Sequence, residues 1–128
     1  MQVGDLFTYT RVLTQDDFNR FAKLSGDDNP IHVDPEFCAR TRFGKTVAHG
    51  MFLYSLICRA LHTHLPGAEP ISQDLMFPTP SFAGEQITVS VRVLQMQPEE
   101  RTARLETIVT RPNGELGCQG ETRVRWQV

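Results

Sequence analysis

The order of apolar and polar residues divides the chain into a helical first half and a stranded second half. From Met51 to Leu61 only Ser55 and Arg59 are clearly polar, which predicts a helix buried on most of its sides. After Pro66, apolar residues alternate with polar ones, as is typical of long strands with one buried face. The alternating segments are residues 87–93, 103–109 and 116–126.

Short sequence patterns predict the remaining elements: a first strand, two helices and a hairpin turn. Residues 6–13 mix β-branched and aromatic side chains and predict an edge strand. Thr14 is a candidate N-cap for a helix that stops at Ser25-Gly26, and Asp34-Pro35 starts a short helix that we expect to end between residues 41 and 44. Asn113-Gly114 is a hairpin turn signal, so the second half reads as an antiparallel meander.

One buried helix beside a long-stranded sheet predicts an α+β chain in which the sheet wraps around the helix. The length of 128 residues fits a single domain spanning residues 1–128. Because one sheet covers only one side of such a helix, we expect a second copy of the chain, or a long apolar ligand, to cover the rest.

Charge and cysteine content exclude several classes of protein. The 13 Lys and Arg nearly balance the 15 Asp and Glu, which argues against a dedicated nucleic-acid binder or a binder of anionic membranes. Three cysteines without CxxC spacing argue against a disulfide framework or a zinc knuckle. We find no signal-peptide pattern and no spanning segment, and therefore expect no membrane association, reduced thiols and a cytoplasmic protein.

The segment that ends at His32 has the highest density of chemically useful residues. Asp27 and His32 flank a loop containing Pro30, and a loop can direct a carboxylate and an imidazole to one water as a general acid/base pair. The alternative from spacing alone is an Asx-turn formed by Asp27 or Asn29, with His32 merely packed.

A second candidate lies where the long helix begins, at Ala48-His49-Gly50-Met51. The first N–H groups of a helix are unpaired and partly positive, and Gly50 permits close approach of a ligand, so its N–H is a candidate oxyanion site. The alternative for Gly50 is a tight helix start. The same dipole favours a neutral His49.

Other chemistry has weak support. The pair His62 and His64 points in different directions on a helix, so no metal site is predicted. A nucleophilic role for Cys58 is disfavoured because it lies in the apolar helix without an adjacent base. No GxSxG, Walker A or GxGxxG motif occurs in the chain.

The segment Phe21 to His32 resembles the signature of MaoC-like (R)-specific enoyl-CoA hydratases: an aromatic residue, then Ser-Gly-Asp, any residue, Asn-Pro, an aliphatic residue and His. His49-Gly50-Met51 matches the family's His-Gly-Met, and Gln73–Phe77 is similar to its strand leading into the sheet. One departure is Cys38, where the family has Ala or Ser.

This resemblance implies a hot dog fold, a homodimer with one continuous sheet, and reversible syn hydration of a trans-2-enoyl thioester to the (R)-3-hydroxyacyl thioester. It implies that Asp27 and His32 activate the water and that the Gly50 N–H polarises the carbonyl. Ser25, Gly26 and Asn29 would shape the loop. It also implies no cofactor, since coenzyme A is part of the substrate.

Substrate range, the association of two dimers into a higher homo-oligomer, and several alternative functions remain open at the level of sequence. Tyr54, Ser55 and Cys58 are candidate acyl-tunnel residues, and an inward Tyr54 would shorten the accepted chain. Basic residues near the expected coenzyme A phosphates are Arg40, Arg42 and Lys45, although the pattern favours a solvated face for these three side chains. Alternative functions are a dehydratase of carrier-protein-bound or dicarboxylic thioesters, a non-catalytic thioester-binding protein, and a thioesterase.

Overall fold

The computed structural model describes residues 1–127 and contains five strands and four helices in that range. The strands are β1 (Leu6–Val12), β2 (Ala68–Gln73), β3 (Gln86–Gln97), β4 (Thr102–Thr110) and β5 (Leu116–Trp126). The helices are α1 (Gln15–Ser25), α2 (Pro30–Val33), α3 (Pro35–Ala39) and α4 (Gly50–His64). Val128, which the predicted domain of residues 1–128 includes, lies outside the described residues.

All five strands belong to one sheet, in the order β1-β3-β4-β5-β2, and every pairing is antiparallel. The predicted alternation is confirmed on β3, whose buried residues Ile87, Val89, Val91 and Val93 face one side. That face packs on α4 and forms the hydrophobic core. The prediction of an α+β hot dog fold, an antiparallel sheet around a long helix, is confirmed.

The helix α4 is buried along one face rather than on most of its sides. Its buried residues recur at helical spacing: Phe52, Leu53, Leu56, Ile57, Ala60 and Leu61. Met51 on the opposite side is exposed, as are the polar residues Ser55 and Arg59. The broader burial predicted from the order of apolar residues is not reached within one chain, because one sheet reaches only one side of the helix, as expected; cover by a second copy or an apolar ligand stays a prediction.

Two local predictions also differ from the structure. The strand β2 has no apolar alternation and contains Pro70, so its sequence carries no strand signal; it lies at the edge of the sheet, where proline is tolerated. Of the strand expected at Gln73–Phe77, Gln73 belongs to the end of β2, and the rest forms one isolated bridge between Met76 and Gln119.

The helices around the loop differ from the expected ones. The helix α3 ends at Ala39 rather than between residues 41 and 44, and the segment read as a loop after Asn29 contains the single-turn helix α2. Pro30 is compatible with α2 because it occupies the first turn, where its missing N–H is no loss.

Within residues 1–127, no helix has the length and apolar character needed to cross a bilayer.

Candidate active site

The end of α1 fixes the start of the loop that carries Asp27. Gly26 adopts a left-handed conformation with φ of 80°, and its N–H donates to the carbonyl of Ala22 at 2.9 Å. The Ser25 hydroxyl donates to the carbonyl of Phe21 at 2.8 Å and accepts from the N–H of Asp27 at 3.1 Å. These bonds give the Asp27 backbone a defined position at the end of the helix.

The two carboxylate oxygens of Asp27 have different surroundings. Its Oδ1 accepts the N–H of Asn29 at 3.4 Å, and the Asn29 side chain in turn accepts the N–H of Ile31 at 3.2 Å and caps α2. The Asx-turn weighed as an alternative is therefore present. It leaves Asp27 Oδ2 available, and this oxygen lies 3.6 Å from Nε2 of His32.

His32 is held in one orientation by the backbone. Its Nδ1 lies 2.7 Å from the carbonyl oxygen of Val47. A carbonyl only accepts, so Nδ1 carries the proton and Nε2 of the neutral ring is bare. The 3.6 Å between Nε2 and Asp27 Oδ2 is longer than a hydrogen bond. The His32 side chain is 11% exposed and that of Asp27 is 56% exposed, so a buried base faces a solvent-accessible carboxylate.

A second histidine joins the pair. The ring of His49 stacks on that of His32, with centroids 3.7 Å apart and 22° between the planes. Its Nε2 lies 2.8 Å from the carbonyl oxygen of Asp27. From the sequence, His49 was expected to be a neutral, hydrogen-bonding residue, without a named partner in the site. Two signals linked it to Gly50: its position directly before the helix start and the match to the family's His-Gly-Met.

A cavity of about 600 Å³ contains these groups. Its wall includes Asp27, His32, Gly50, Phe77 and Ser81. The structure thus brings the predicted carboxylate, imidazole and helix start to one space.

The helix α4 begins at this cavity without a side-chain cap, whereas α1, α2 and α3 are each capped by a side chain. Its first N–H groups lack intrahelical partners. A Cβ on Gly50 would lie 2.7 Å from Cζ of Phe77, so glycine is required for the ring to approach the helix start this closely.

The candidate tunnel residues lie elsewhere on α4. Tyr54, Ser55 and Cys58 are not among the residues that line the cavity. Ser55 is exposed and its hydroxyl donates to the carbonyl of Phe52. Burial, together with a hydrogen bond to Cys58, raises the pKa of Tyr54 to about 12. Their assignment to an acyl tunnel stays a prediction.

The departure at Cys38 fits the structure of the loop. Its buried Sγ lies 3.3 Å from the carbonyl oxygen of Ile31, beneath the turn that carries His32. Burial raises the pKa of this thiol, with a further contribution from the charge of Asp34. A neutral, small thiol is therefore compatible with the position where the family has Ala or Ser.

Asp27, His32 and His49 make a poor metal site, although their candidate ligand atoms lie within 4.8 Å of one another. The two imidazoles are stacked, so their in-plane lone pairs point along nearly parallel planes instead of converging on one ion. His49 Nε2 is engaged by the carbonyl of Asp27, and its Nδ1 is buried. The three side chains therefore do not direct three free lone pairs at one ion.

Comparison with known proteins agrees with this geometry. The family model described as a MaoC like domain matches residues 4–112. The chain belongs to the MaoC-like dehydratase family.

Individual MaoC-like relatives cover most of the chain. A 3-hydroxybutyryl-CoA dehydratase from Methylorubrum extorquens is 41% identical over 107 residues, covering 82% of this chain and 68% of that protein. An (R)-specific enoyl-CoA hydratase from Aeromonas caviae is 39% identical over 107 residues, covering 82% of this chain and 80% of that protein. The solved (R)-hydratase from A. caviae superposes with a TM-score of 0.95 at 33% identity, covering 99% of this chain and 98% of that one.

Proposed function

We propose that this MaoC-like chain is a hydro-lyase that catalyses the reversible (R)-specific hydration of trans-2-enoyl-CoA to (R)-3-hydroxyacyl-CoA. The observation that carries the proposal is the approach of the bare Nε2 of His32 to Asp27 Oδ2, at 3.6 Å, on the wall of a cavity. The (R) configuration rests on similarity to the A. caviae hydratase.

The pair activates water through two acceptors. His32 Nε2 and Asp27 Oδ2 both lack a proton in the neutral-imidazole, ionised-carboxylate state. A water in contact with both donates one O–H to each, which directs its lone pairs toward C3 of the substrate. As the oxygen bonds to C3, the pair takes one proton from the water. The same pair returns a proton to C2, so both additions occur on one face.

The start of α4 stabilises the charge that develops on the thioester. Addition at C3 moves an electron pair through C2 onto the carbonyl oxygen and generates an enolate. The uncapped N–H of Gly50 and the positive end of the helix dipole are suited to this oxygen. Protonation at C2 then restores the carbonyl. The thioester itself makes C2 acidic, so the proposed reaction requires no cofactor.

We also propose that the coenzyme A phosphates bind near the exposed cations of residues 40–45. Arg40, Arg42 and Lys45 are exposed, and none of them forms an ion pair with another residue in the range 1–127. Free cations of this kind are available to a phosphate.

A homodimer is the proposed state of the protein. Met51 and Phe77 line the cavity yet are exposed, and the neighbouring Met76 is exposed as well. Large apolar side chains at the rim of a site are typical of surfaces covered by a partner, and a second copy would also enclose the acyl group. Light scattering behind size-exclusion chromatography gives twice the chain mass if this is correct, and the chain mass if it is not.

The direct test is a substrate panel with the wild-type chain. Loss of the conjugated enoyl thioester absorbance on incubation with crotonyl-CoA, with chiral analysis of the product, is the expected result. Carrier-protein thioesters in the same panel separate a carrier-specific dehydratase, and release of free thiol identifies a thioesterase. Binding of enoyl-CoA without any turnover would identify a non-catalytic thioester-binding protein and contradict the proposal.

A further inference from the structure

The side chain of His49 does not serve the helix that it precedes. His49 is the N-cap of α4, and its carbonyl accepts the N–H groups of Phe52 at 3.1 Å and Leu53 at 3.3 Å. Its imidazole makes no capping hydrogen bond, although a capping side chain stabilises a helix by about 1 kcal/mol. The ring is buried and turned toward the loop of Asp27 instead.

The hydrogen bond to Asp27 determines the tautomer of His49. The carbonyl oxygen of Asp27 can only accept, so Nε2 of His49, 2.8 Å away, carries the proton. The other ring nitrogen, Nδ1, is buried and has no partner among the described residues. Protonating it would bury a charged N–H with no acceptor, which is costly.

The surroundings of His49 keep its ring neutral. The ring stacks on His32 and forms an edge-on contact with Phe21, with centroids 4.8 Å apart. Asp27 is the carboxylate beside it. Burial, the largest effect, lowers the pKa of His49. The hydrogen bond to the Asp27 carbonyl opposes this, the nearby His32 lowers the pKa further, and the Asp27 charge raises it slightly, so the net direction is downward. A neutral ring can stack on His32 without repelling a proton that His32 acquires.

Val47 and His49 together fix the orientation of the His32 ring. The carbonyl of Val47 sets the in-plane direction of His32 through Nδ1, and the stacked His49 sets the plane of its ring. The N–H of His49 holds the Asp27 carbonyl at the same time. One neutral side chain therefore contacts both members of the pair: the backbone of Asp27 and the ring face of His32.

We propose that His49 is a positioning residue that holds Asp27 and His32 at the separation at which both contact one water. This inference rests on the proposed hydration reaction. His49 does not take part in proton transfer itself, because its Nε2 is bound to the Asp27 carbonyl and its Nδ1 is buried. It acts only through Asp27 and His32. Displacing one member by about 1 Å is enough to reduce the rate of a positioned reaction about 10²-fold.

Three substitutions separate the two contacts. His49→Leu removes the donor and the flat ring, His49→Gln keeps a side-chain N–H donor of similar reach, and His49→Phe keeps the ring without the donor. We expect His49→Leu to lower kcat for crotonyl-CoA about 10²-fold with little change in KM, and each of the other two to restore part of the loss.

His64 provides a matched control on the same helix. It also stacks on an aromatic ring, that of Phe7, and its Nε2 also bonds a carbonyl, that of Thr8 at 3.2 Å. It is not among the residues lining the cavity. His64→Leu is expected to leave kcat unchanged.

The outcomes distinguish this inference from the proposed function. An inactive wild-type chain contradicts the function, and the inference with it. An active wild-type chain whose His49→Leu variant keeps full kcat contradicts the inference alone. So does a loss of rate in all three variants that disappears when the rate is divided by the folded fraction from circular dichroism, because that pattern indicates a purely structural role.

Discussion

The rings of His32 and His49 stack in near-parallel planes, with centroids 3.7 Å apart and an angle of 22°. The two residues come from separate segments of the chain, yet only His32 presents a bare nitrogen to Asp27. The nitrogen of His49 that carries a proton is bound to the Asp27 backbone. The two identical side chains therefore have different contacts: His32 directs a free nitrogen at the Asp27 carboxylate, and His49 binds the Asp27 backbone.

The buried His49 makes stability depend on pH near neutrality. Its folded pKa lies below the ordinary value of 6.5, chiefly because of burial. As the pH falls, the unfolded chain binds the proton first, so the free energy of unfolding decreases from about pH 6.5 downward until the folded pKa is passed. Urea unfolding at several pH values between about 8 and about 5.5 measures this decrease.

The His49→Gln variant isolates that contribution. It lacks the titrating ring, so its free energy of unfolding should vary less over the same pH range than that of the wild type. Parallel pH profiles for the two proteins would show that His49 is not the group responsible.

Gly50→Ala should reduce activity while leaving the fold intact. The added Cβ meets the ring of Phe77 at 2.7 Å; because Phe77 is exposed, its ring can move away. The methyl group then occupies the approach to the N–H of residue 50. We expect kcat/KM for crotonyl-CoA to fall about 10²-fold, with thermal unfolding little changed.

Combining Gly50→Ala with Phe77→Ala tests the reason for that loss. The double variant removes the clash with the ring but keeps the methyl group at the helix start. Activity should stay low. Full recovery in the double variant would mean that the displaced Phe77, and not access to the N–H, controls the rate.

Arg111 stabilises the fold through an ion pair that is largely shielded from water. It donates from Nε and Nη2 to both oxygens of Glu85, at 3.2 Å and 3.0 Å, and the two side chains are 9% and 18% exposed. Arg111→Met leaves Glu85 without its partner and should lower the free energy of unfolding by about 3 kcal/mol.

The pair of Arg104 and Glu121 is the control for this measurement. Its side chains are 40% and 41% exposed, so Arg104→Met should cost less than about 1 kcal/mol. Equal losses in the two variants, measured by urea unfolding, would contradict the importance of burial for the Arg111 pair.

The long strands could be predicted from sequence because their signal is local. On β3, residues Ile87 to Val93 alternate with polar neighbours, and the sheet buries only one face, so the pattern and the structure coincide. The strand β2 was not predicted, because its own residues carry no local strand signal. It lies at the edge of the sheet, includes Pro70, and is stabilised by pairing with β5 rather than by burial of its own side chains.

Only the parts of the candidate site that lie within short sequence motifs could be predicted from the sequence. The loop from Asp27 to His32 has a recognisable sequence, and the structure brings these two residues together as expected. The contact between His49 and the Asp27 carbonyl joins residues that are 22 positions apart. It depends on how α4 packs against the loop, which no local pattern reveals. The direction of Tyr54 and Cys58 on α4 was undetermined for the same reason.

The central claim is that Asp27 and His32 act together on one water. The measurement that tests it most directly is a double-mutant cycle with Asp27→Asn, His32→Gln and the combined variant, using kcat/KM for crotonyl-CoA. Each single substitution should lower kcat/KM by about 10³-fold, and the combined variant should be little worse than either single one, because each loss already disables the pair. Near-wild-type turnover in either folded single variant, or losses that multiply in the combined variant, would contradict the claim.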